Sequence, residues 1–290
     1  MVIWINKFVS MKKNLIKSYP KINLSLNVLK REKDGLHKIQ SIVSFLNFYD
    51  EIYIQQINKK KHIVKFIGSF SKNLNKNNTI SKLLYILDKK KVLKKKYKID
   101  IKKNVPQKSG LGGGSMNAAF LLNFFLKKKI IQLSKKEIFN ICNQIGSDVF
   151  LGLDRKNLIL LNQKKIKKYN IKMSLFALLV KPKIGCSTKE IYKGLRRFSK
   201  NRLKNSSKIF KIQFLKDAKN DLEIPAFKLY PFLRKLKIFL SNINQVKFVR
   251  MTGSGSTIVA YFSNKKSAIN GLKLVKKKFK NYWSIVSKTI

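Results

Sequence analysis

The chain has 290 residues, of which 65 are Lys or Arg and 13 are Asp or Glu, so its formal net charge is +52 and its isoelectric point is near 10.4. Such a charge suggests a nucleic-acid partner, yet only seven of the basic residues are Arg, the side chain that grips phosphates and guanine edges bidentately. Lys, Asn, Ile and Phe are abundant and Gly, Pro and Arg are scarce, a bias expected of A+T-rich codons, so the charge is mostly compositional background.

Two further classes of protein are excluded at this stage. No apolar run reaches the roughly 18–20 residues that a membrane span needs. Cys142 and Cys186 are isolated and lack CxxC spacing, which argues against a zinc site and against a disulfide framework. We therefore expect a protein of the reducing cytoplasm.

Hydrophobic periodicity predicts the elements in chain order. The first third is largely β, with strands at residues 22–28, 39–46, 52–57 and 63–67, and the alternation of the first strand indicates one buried face. A helix at 80–87, a strand at 97–101, a glycine-rich loop, an apolar helix and a helix face at 138–145 follow.

After residue 155 the pattern changes. It predicts strands at 158–161 and 175–180, a helix from Thr188 to Leu195, two strands at 246–250 and 257–262 around a Gly-Ser-Gly turn, and a helix at 268–279. This mixture indicates an α+β protein with two domains, which we place at residues 1–155 and 156–290.

The segment 106–115, PQKSGLGGGS, holds four of the thirteen glycines within five residues. Clustered glycines allow positive φ and let main-chain N–H groups approach an anion, and a following helix would offer its N-terminus to a phosphate. The loop lacks the Gly-Lys-Ser/Thr ending of a P-loop and is not a GxGxxG fingerprint. On the loop alone, a phosphate cradle and a mobile turn are about equally good interpretations.

A second cluster, TGSGS at residues 252–256, lies between two predicted strands and is by itself an ordinary hairpin turn. The two clusters together hold six of the thirteen glycines. Because codon bias should thin glycine everywhere, this concentration indicates backbone geometries that only glycine supplies.

Few carboxylates are available as a general base. Asp148 lies at the end of a predicted helix beside an apolar run, although from these residues alone a helix cap or a lone structural carboxylate is the better interpretation. The others that we considered stand in polar or lysine-rich sequence and are expected at the surface: Asp50, Glu51, Asp88, Asp154 and Asp217.

The ordered motifs carry a family resemblance. They are SYPKINL at 18–24, GLH at 35–37, the glycine-rich loop, GSDV at 146–149 and TGSG at 252–255. Together they resemble the GHMP small-molecule kinases, which implies a ribosomal-S5-domain-2-like N-terminal domain for ATP, a ferredoxin-like C-terminal domain, and ATP-dependent phosphorylation of a small alcohol. The further segments NTI at 78–80, FLNFYD at 45–50, STKEIY at 187–192 and NDLE at 220–223 imply a member whose substrate carries a cytidine diphosphate group.

The resemblance also implies roles for individual residues. Asp148 is the expected general base, and Lys21 the cation that keeps it charged and stabilises the transferred phosphoryl group. The expected ATP contacts are Lys103, Pro106, Gly110, Leu111, Gly112, Gly113, Gly114 and Ser115. The expected substrate contacts are Asn23, His37, Thr188, Tyr192, Gly253, Ser254 and Gly255. Magnesium is expected with the nucleotide, and no acidic pair must bind it, so Ser115 is only a weak candidate ligand.

The chain departs from the family pattern at several positions. Pro20 stands in place of Ala, Met116 and Asn117 in place of Ser and Asp, and Phe150 in place of Pro. Leu36 replaces the aromatic residue before His37, so one wall of the cytosine site is only aliphatic.

Two alternatives stay open. A basic nucleic-acid-binding protein without catalysis would concentrate its basic residues on one face among aromatic residues, whereas here Lys is spread along the chain. Another GHMP kinase, such as a homoserine or mevalonate kinase, is disfavoured by the Gly-Gly-Gly-Ser loop and by the segments 187–192 and 220–223. We expect no nucleic-acid or membrane partner.

The aliphatic wall at Leu36 gives a first prediction. Since stacking of a base on an aromatic ring contributes about 1–3 kcal/mol, Leu36→Tyr is expected to lower the KM for the cytidine-containing substrate. Steady-state kinetics of the two proteins test this, and a substrate KM that does not change would contradict it.

Overall fold

The computed structural model describes residues 13–33, 35–72, 74, 77–162, 165–171, 173–200, 203 and 206–290. Within this part the chain forms twelve strands, eight α-helices and two short 3-10 helices, Val149–Leu153 and Ser207–Phe210. The strands are β1 (Asn14–Ser18), β2 (Lys21–Arg31), β3 (His37–Phe45), β4 (Asp50–Ile57), β5 (Ile63–Ile67), β6 (Lys96–Lys102), β7 (Asn157–Asn162), β8 (Lys165–Tyr169), β9 (Phe176–Lys181), β10 (Phe248–Met251), β11 (Ile258–Phe262) and β12 (Trp283–Lys288). The helices are α1 (Thr79–Lys89), α2 (Gly113–Lys127), α3 (Lys135–Ile145), α4 (Thr188–Lys193), α5 (Ile212–Asp217), α6 (Glu223–Leu229), α7 (Pro231–Ser241) and α8 (Lys265–Lys278).

The described chain divides into two compact units that interleave in sequence. One contains residues 13–18, 50–104 and 117–153, and the other contains residues 19–49, 105–116 and 154–290. The division that we expect at residue 155 follows sequence order instead, and it stays a prediction about the domains of the family.

The first unit is built around the sheet β1-β4-β6-β5, in which only the β5–β6 pair is parallel. Apolar residues of α1, α2 and α3 pack in one core with the inward side chains of β4 and β6. Asn78 caps α1 through its side-chain oxygen, and Ser134 and Glu137 form a capping box on α3. These caps explain why both predicted helices begin where they do.

The second unit contains two antiparallel sheets, β2-β3-β7-β8 and β10-β11-β9-β12. Alternate residues of β9 and β11 face two separate cores, one shared with β2, β3 and β7 and the other with α7 and α8. This explains the unbroken apolar runs of those two strands. The strand order β10-β11-β9-β12, with helices between β9 and β10 and between β11 and β12, is the ferredoxin-like arrangement.

Strand β2 is more buried than its sequence pattern predicts. We predicted a half-buried strand, but residues 21–28 are buried on both faces. The buried residues include the polar side chains at 21, 23, 25 and 27. Polar groups face inward here because other segments of the second unit cover the strand.

None of the helices in the described ranges is long and apolar enough to cross a membrane.

Asp50 lies in the interior, contrary to its predicted place at the surface. We expected it at the surface, yet it is fully buried, ion-paired with the ammonium group of Lys103, and accepts the main-chain N–H of Asn104 at 2.7 Å. The two residues lie at adjacent strand ends of the first unit, at the start of β4 and just after β6. A buried charge requires such a partner.

The ion pair between Asp50 and Lys103 is expected to stabilise the first unit. Lys103→Met removes the buried ammonium group that pairs with the Asp50 carboxylate, so we expect the free energy of unfolding to fall by about 3–5 kcal/mol in urea denaturation. Lys102→Met is the matched control, because the adjacent Lys102 is half-exposed and pairs with Glu51 at 3.2 Å, so its loss should cost less than about 1 kcal/mol. Equal losses in the two variants would contradict this account.

Candidate active site

The glycine-rich loop joins β6 to α2, and α2 begins inside the motif at Gly113. The predicted order of strand, loop and helix is therefore confirmed. Ser109 holds the loop, since its hydroxyl donates to the Pro106 carbonyl at 2.7 Å and accepts the Leu111 N–H at 3.4 Å. The last three residues of the motif, Gly113 to Ser115, form the first turn of α2, where the helix dipole favours an anion.

The two glycine clusters pack against each other. Gly110 has φ +75°, and a Cβ there would lie 2.1 Å from the carbonyl oxygen of Thr252. Gly253 has φ +57°, and its Cβ would lie 3.3 Å from the carbonyl oxygen of Gly110. The expectation that these clusters need glycine is confirmed, and the reason is a close approach of two main chains as well as positive φ.

Strand β2 joins the clusters to Lys21 and Asn23. The Lys21 N–H donates to the Leu111 carbonyl at 3.1 Å, and the Asn23 N–H donates to the Thr252 hydroxyl at 3.0 Å. That hydroxyl in turn donates to the Gly110 carbonyl at 3.3 Å. The residues expected in catalysis and in substrate binding on β2 are thus bonded to both glycine-rich segments.

The Lys21 side chain is buried, and its Nζ donates to Asn23 Oδ1 at 2.6 Å. The two side chains lie on the same face of β2, as their spacing of two residues predicts. Asn23 Nδ2 donates to the hydroxyl of Ser41 on β3 at 2.7 Å. Ser41 is not among the predicted site residues, because nothing in its local pattern separates it from the other polar residues of that strand.

Asn220 was also missed as a site residue, although it stands in one of the family motifs. It is buried, and its Nδ2 donates to the carbonyls of Met251 and Gly253 at 2.7 and 2.8 Å. Its neighbour Asp221 accepts the Val28 N–H of β2 at 2.7 Å. This segment fixes the 252–255 turn and binds it to the edge of β2.

Residues expected to contact the substrate come together in pairs. The rings of His37 and Tyr192 are in contact, with centroids 4.6 Å apart and a tilt of 35°. The hydroxyls of Thr188 and Ser254 are 2.7 Å apart, which links the start of α4 to the second glycine cluster. Burial, and then the charge of Arg31, lowers the pKa of His37, which favours the neutral ring, the form that can both donate and accept.

Asp148 belongs to the first unit. It is half-buried and lies three residues after the end of α3 and directly before the 3-10 helix Val149–Leu153, as its predicted place at a helix end requires. Phe150, one of the departures from the family pattern, packs edge-on against Phe139 of α3 with ring centroids 5.3 Å apart. This edge-to-face pair attaches the 3-10 helix to α3.

The structure locates the residues that could bind magnesium or the nucleotide. Nowhere in the described ranges do three His, Cys, Asp or Glu side chains come together as a metal ligand set, and magnesium bound with the nucleotide stays an expectation. Asn117 is buried within α2, so this departure from the family's Asp lies in the interior. Lys103 is bonded to Asp50, and a phosphate contact for it stays a prediction.

Comparison with known proteins gives the class. Residues 78–154 match the GHMP kinases N-terminal domain, and residues 193–281 match the GHMP kinases C-terminal domain. The chain is 50% identical over 277 residues to the 4-diphosphocytidyl-2-C-methyl-D-erythritol kinase of Pelagibacter ubique, covering 95% of this chain and 98% of the relative. The enzyme of the same name from Caldicellulosiruptor saccharolyticus is 31% identical, covering 88% and 90% of the two chains.

Solved structures agree on the fold. A crystal structure of 4-(cytidine 5'-diphospho)-2C-methyl-D-erythritol kinase matches with a TM-score of 0.78 at 19% identity, covering 95% of this chain and 99% of that one. Homoserine kinase from Cytophaga hutchinsonii matches with a TM-score of 0.68 at 17% identity, covering 98% and 96%.

The chain therefore belongs to the GHMP kinases, with the two-domain α+β fold of that family, and within it to the group of 4-diphosphocytidyl-2-C-methyl-D-erythritol kinases. It is a phosphotransferase with an alcohol acceptor, and ATP is the phosphoryl donor that GHMP kinases use.

The contact between the glycine clusters predicts unequal effects of two substitutions. Gly110→Ala and Gly35→Ala both place a side chain at positive φ, at a cost of about 1–2 kcal/mol, but a Cβ at Gly35 meets nothing within 4 Å. Gly110→Ala must also displace the Thr252 main chain, so we expect about 1–3 kcal/mol of further destabilisation and a large loss of kinase activity.

Urea denaturation and an ADP-release assay measure both effects. Gly35→Ala is the matched control for positive φ without a clash. Equal stability of the two variants would contradict the packing of the two clusters.

Proposed function

We propose that this chain transfers the γ-phosphoryl group of ATP to the C2 hydroxyl of 4-diphosphocytidyl-2-C-methyl-D-erythritol, a step of non-mevalonate isoprenoid biosynthesis. The observation that carries the proposal is the hydrogen bond from the Lys21 N–H to the Leu111 carbonyl. It fixes the lysine expected in catalysis directly to the loop expected to bind the phosphates. The enzyme works in the cytoplasm.

In the proposed reaction the Asp148 carboxylate accepts the proton of the C2 hydroxyl. The C2 oxygen attacks the γ-phosphorus, the bond from that phosphorus to the β–γ bridging oxygen breaks, and ADP leaves with the bonding electrons. Little covalent chemistry is needed from the protein, so positioning and charge stabilisation provide most of the catalysis.

Lys21 provides positive charge for the phosphoryl group in transfer. Its ammonium is held at Asn23 Oδ1 and is largely removed from water, where an electrostatic interaction is stronger than at the surface. Asn23, on the same face, orients the substrate alcohol. A lysine pre-positioned in this way costs little reorganisation during the reaction.

The ATP phosphates lie on the main chain of residues 110–115 and on the first turn of α2. The positive φ of Gly110 and Gly112 supports this, since such conformations turn successive N–H groups toward one anion. Magnesium bound with the nucleotide would supply charge neutralisation, and Ser115 at the start of α2 is the residue that would contact it.

The cytidine end of the substrate lies at His37 and Tyr192. The two rings are in direct contact and leave no room for a base between them, so the cytosine lies beside this ring pair with His37 at its polar edge. Thr188 and Ser254, bonded to each other, provide hydroxyls for the diphosphate beside Gly253 and Gly255. Leu36, which is 54% exposed, forms the aliphatic wall of this site.

The proposed base gives the direct test of function. Asp148→Asn keeps the shape of the side chain but cannot accept the proton, so we expect kcat to fall by about 10²–10⁴-fold with little change in thermal unfolding. Coupled measurement of ADP release with the cytidylyl substrate gives kcat.

Asp154→Asn is the control. Its side chain is partly exposed and pairs with Lys168 at 3.6 Å, so this variant should keep its activity. A folded wild type without substrate-dependent ADP release would refute the proposed function. An Asp148→Asn variant with near wild-type kcat would refute the role of that residue alone.

A further inference from the structure

Ser41 is a fully buried hydroxyl on β3, placed between two groups of β2. Its oxygen lies 2.5 Å from the Ser25 carbonyl oxygen and 2.7 Å from Asn23 Nδ2, whereas the next carbonyl, that of Ile42, is 3.5 Å away. A hydroxyl has one hydrogen to donate. Because that hydrogen goes to the Ser25 carbonyl, the Ser41 oxygen faces Asn23 as an acceptor.

A β-bulge in β2 brings the Ser25 carbonyl to this position. Pairing with β3 steps from Asn23↔Val43 to Ser25↔Ile42, which leaves one extra residue on β2. The Ser25 hydroxyl accepts the Ile42 N–H at 3.2 Å. The two serines thus bond to main-chain groups beside the bulge, and the Ser41 hydroxyl is held in one direction.

This direction decides which way the amide of Asn23 faces. An amide has one accepting oxygen and one donating nitrogen. With Nδ2 bonded to Ser41, Oδ1 faces the Lys21 ammonium at 2.6 Å. A flipped amide would set its NH₂ group against the ammonium and its oxygen against the Ser41 oxygen, so both contacts would be repulsive.

We propose that Ser41 is a positioning residue of the kinase reaction, which fixes the amide of Asn23 and thereby holds the Lys21 ammonium in place. The inference rests on the proposed function, in which Lys21 stabilises the transferred phosphoryl group. Ser41 acts through Asn23. The groups form one chain of hydrogen bonds. The Ser41 hydroxyl donates to the Ser25 carbonyl, the Asn23 amide donates to the Ser41 oxygen, and the Lys21 ammonium donates to the Asn23 amide oxygen.

The test uses the full-length chain with Ser41→Ala, Ser41→Cys and Ser41→Thr. Ala removes the hydroxyl and Cys replaces it with a weak acceptor of similar shape, so we expect both to lower kcat about tenfold while the KM for ATP stays within twofold. Ser41→Thr keeps the hydroxyl and is expected to keep kcat within twofold of wild type. Ser41→Cys decides the outcome if the alanine variant does not fold.

A double variant separates positioning from general packing. In an Asn23→Ala background there is no amide to orient, so Ser41→Ala should cause no further loss of kcat. Equal losses of kcat in both backgrounds, a folded Ser41→Thr variant as slow as Ser41→Ala, or a folded Ser41→Cys variant as fast as wild type would overturn the proposal. Turnover by wild type in the same assay shows that such a failure concerns Ser41 and not the proposed function.

Discussion

The site depends on the outer edge of strand β2, the edge that faces away from β3. This strand ends the sheet β2-β3-β7-β8, and a buried edge must find partners for its outward N–H groups. Four N–H groups point outward from this edge. The Lys21 N–H donates to the Leu111 carbonyl, and the Asn23 N–H donates to the Thr252 hydroxyl. The Leu26 N–H donates to the Lys219 carbonyl, and the Val28 N–H donates to the Asp221 carboxylate. The glycine-rich loop, the 252–255 turn and the segment 219–221 are therefore aligned on one strand, and the bulge after Asn23 moves the outward donors from odd to even positions.

Burial of the polar face of β2 follows from that alignment. The segments that bond to the edge also cover Lys21 and Asn23, and burial of an ammonium group is unfavourable unless polar groups surround it. Asn23 and Ser41 provide such groups with fixed directions. In the proposed function this held ammonium group stabilises the transferred phosphoryl group, so the packing of the strand and the proposed chemistry involve the same hydrogen bonds.

Sequence patterns predicted those features that depend on neighbouring residues. The strands β3 to β6, the helices α1 and α3 and the hairpin around residues 252–256 follow from local periodicity and turn chemistry, and the scarcity of glycine made both clusters visible. The burial of Asp50 could not be predicted in this way, because its partner Lys103 is 53 residues away and is one of 58 lysines. Ser41 was missed because its role depends on the bulge in a neighbouring strand, and strand β8, largely exposed, lacks an apolar pattern.

Amide hydrogen exchange, measured residue by residue by NMR, tests the role of the β2 edge most directly. If the edge is bonded as described, the amides of Lys21, Asn23, Leu26 and Val28 exchange as slowly as the inner amides of β3. In a Thr252→Val protein the Asn23 amide alone among the four should exchange faster, because only its acceptor is removed. Fast exchange of these four amides in the wild type would contradict the account.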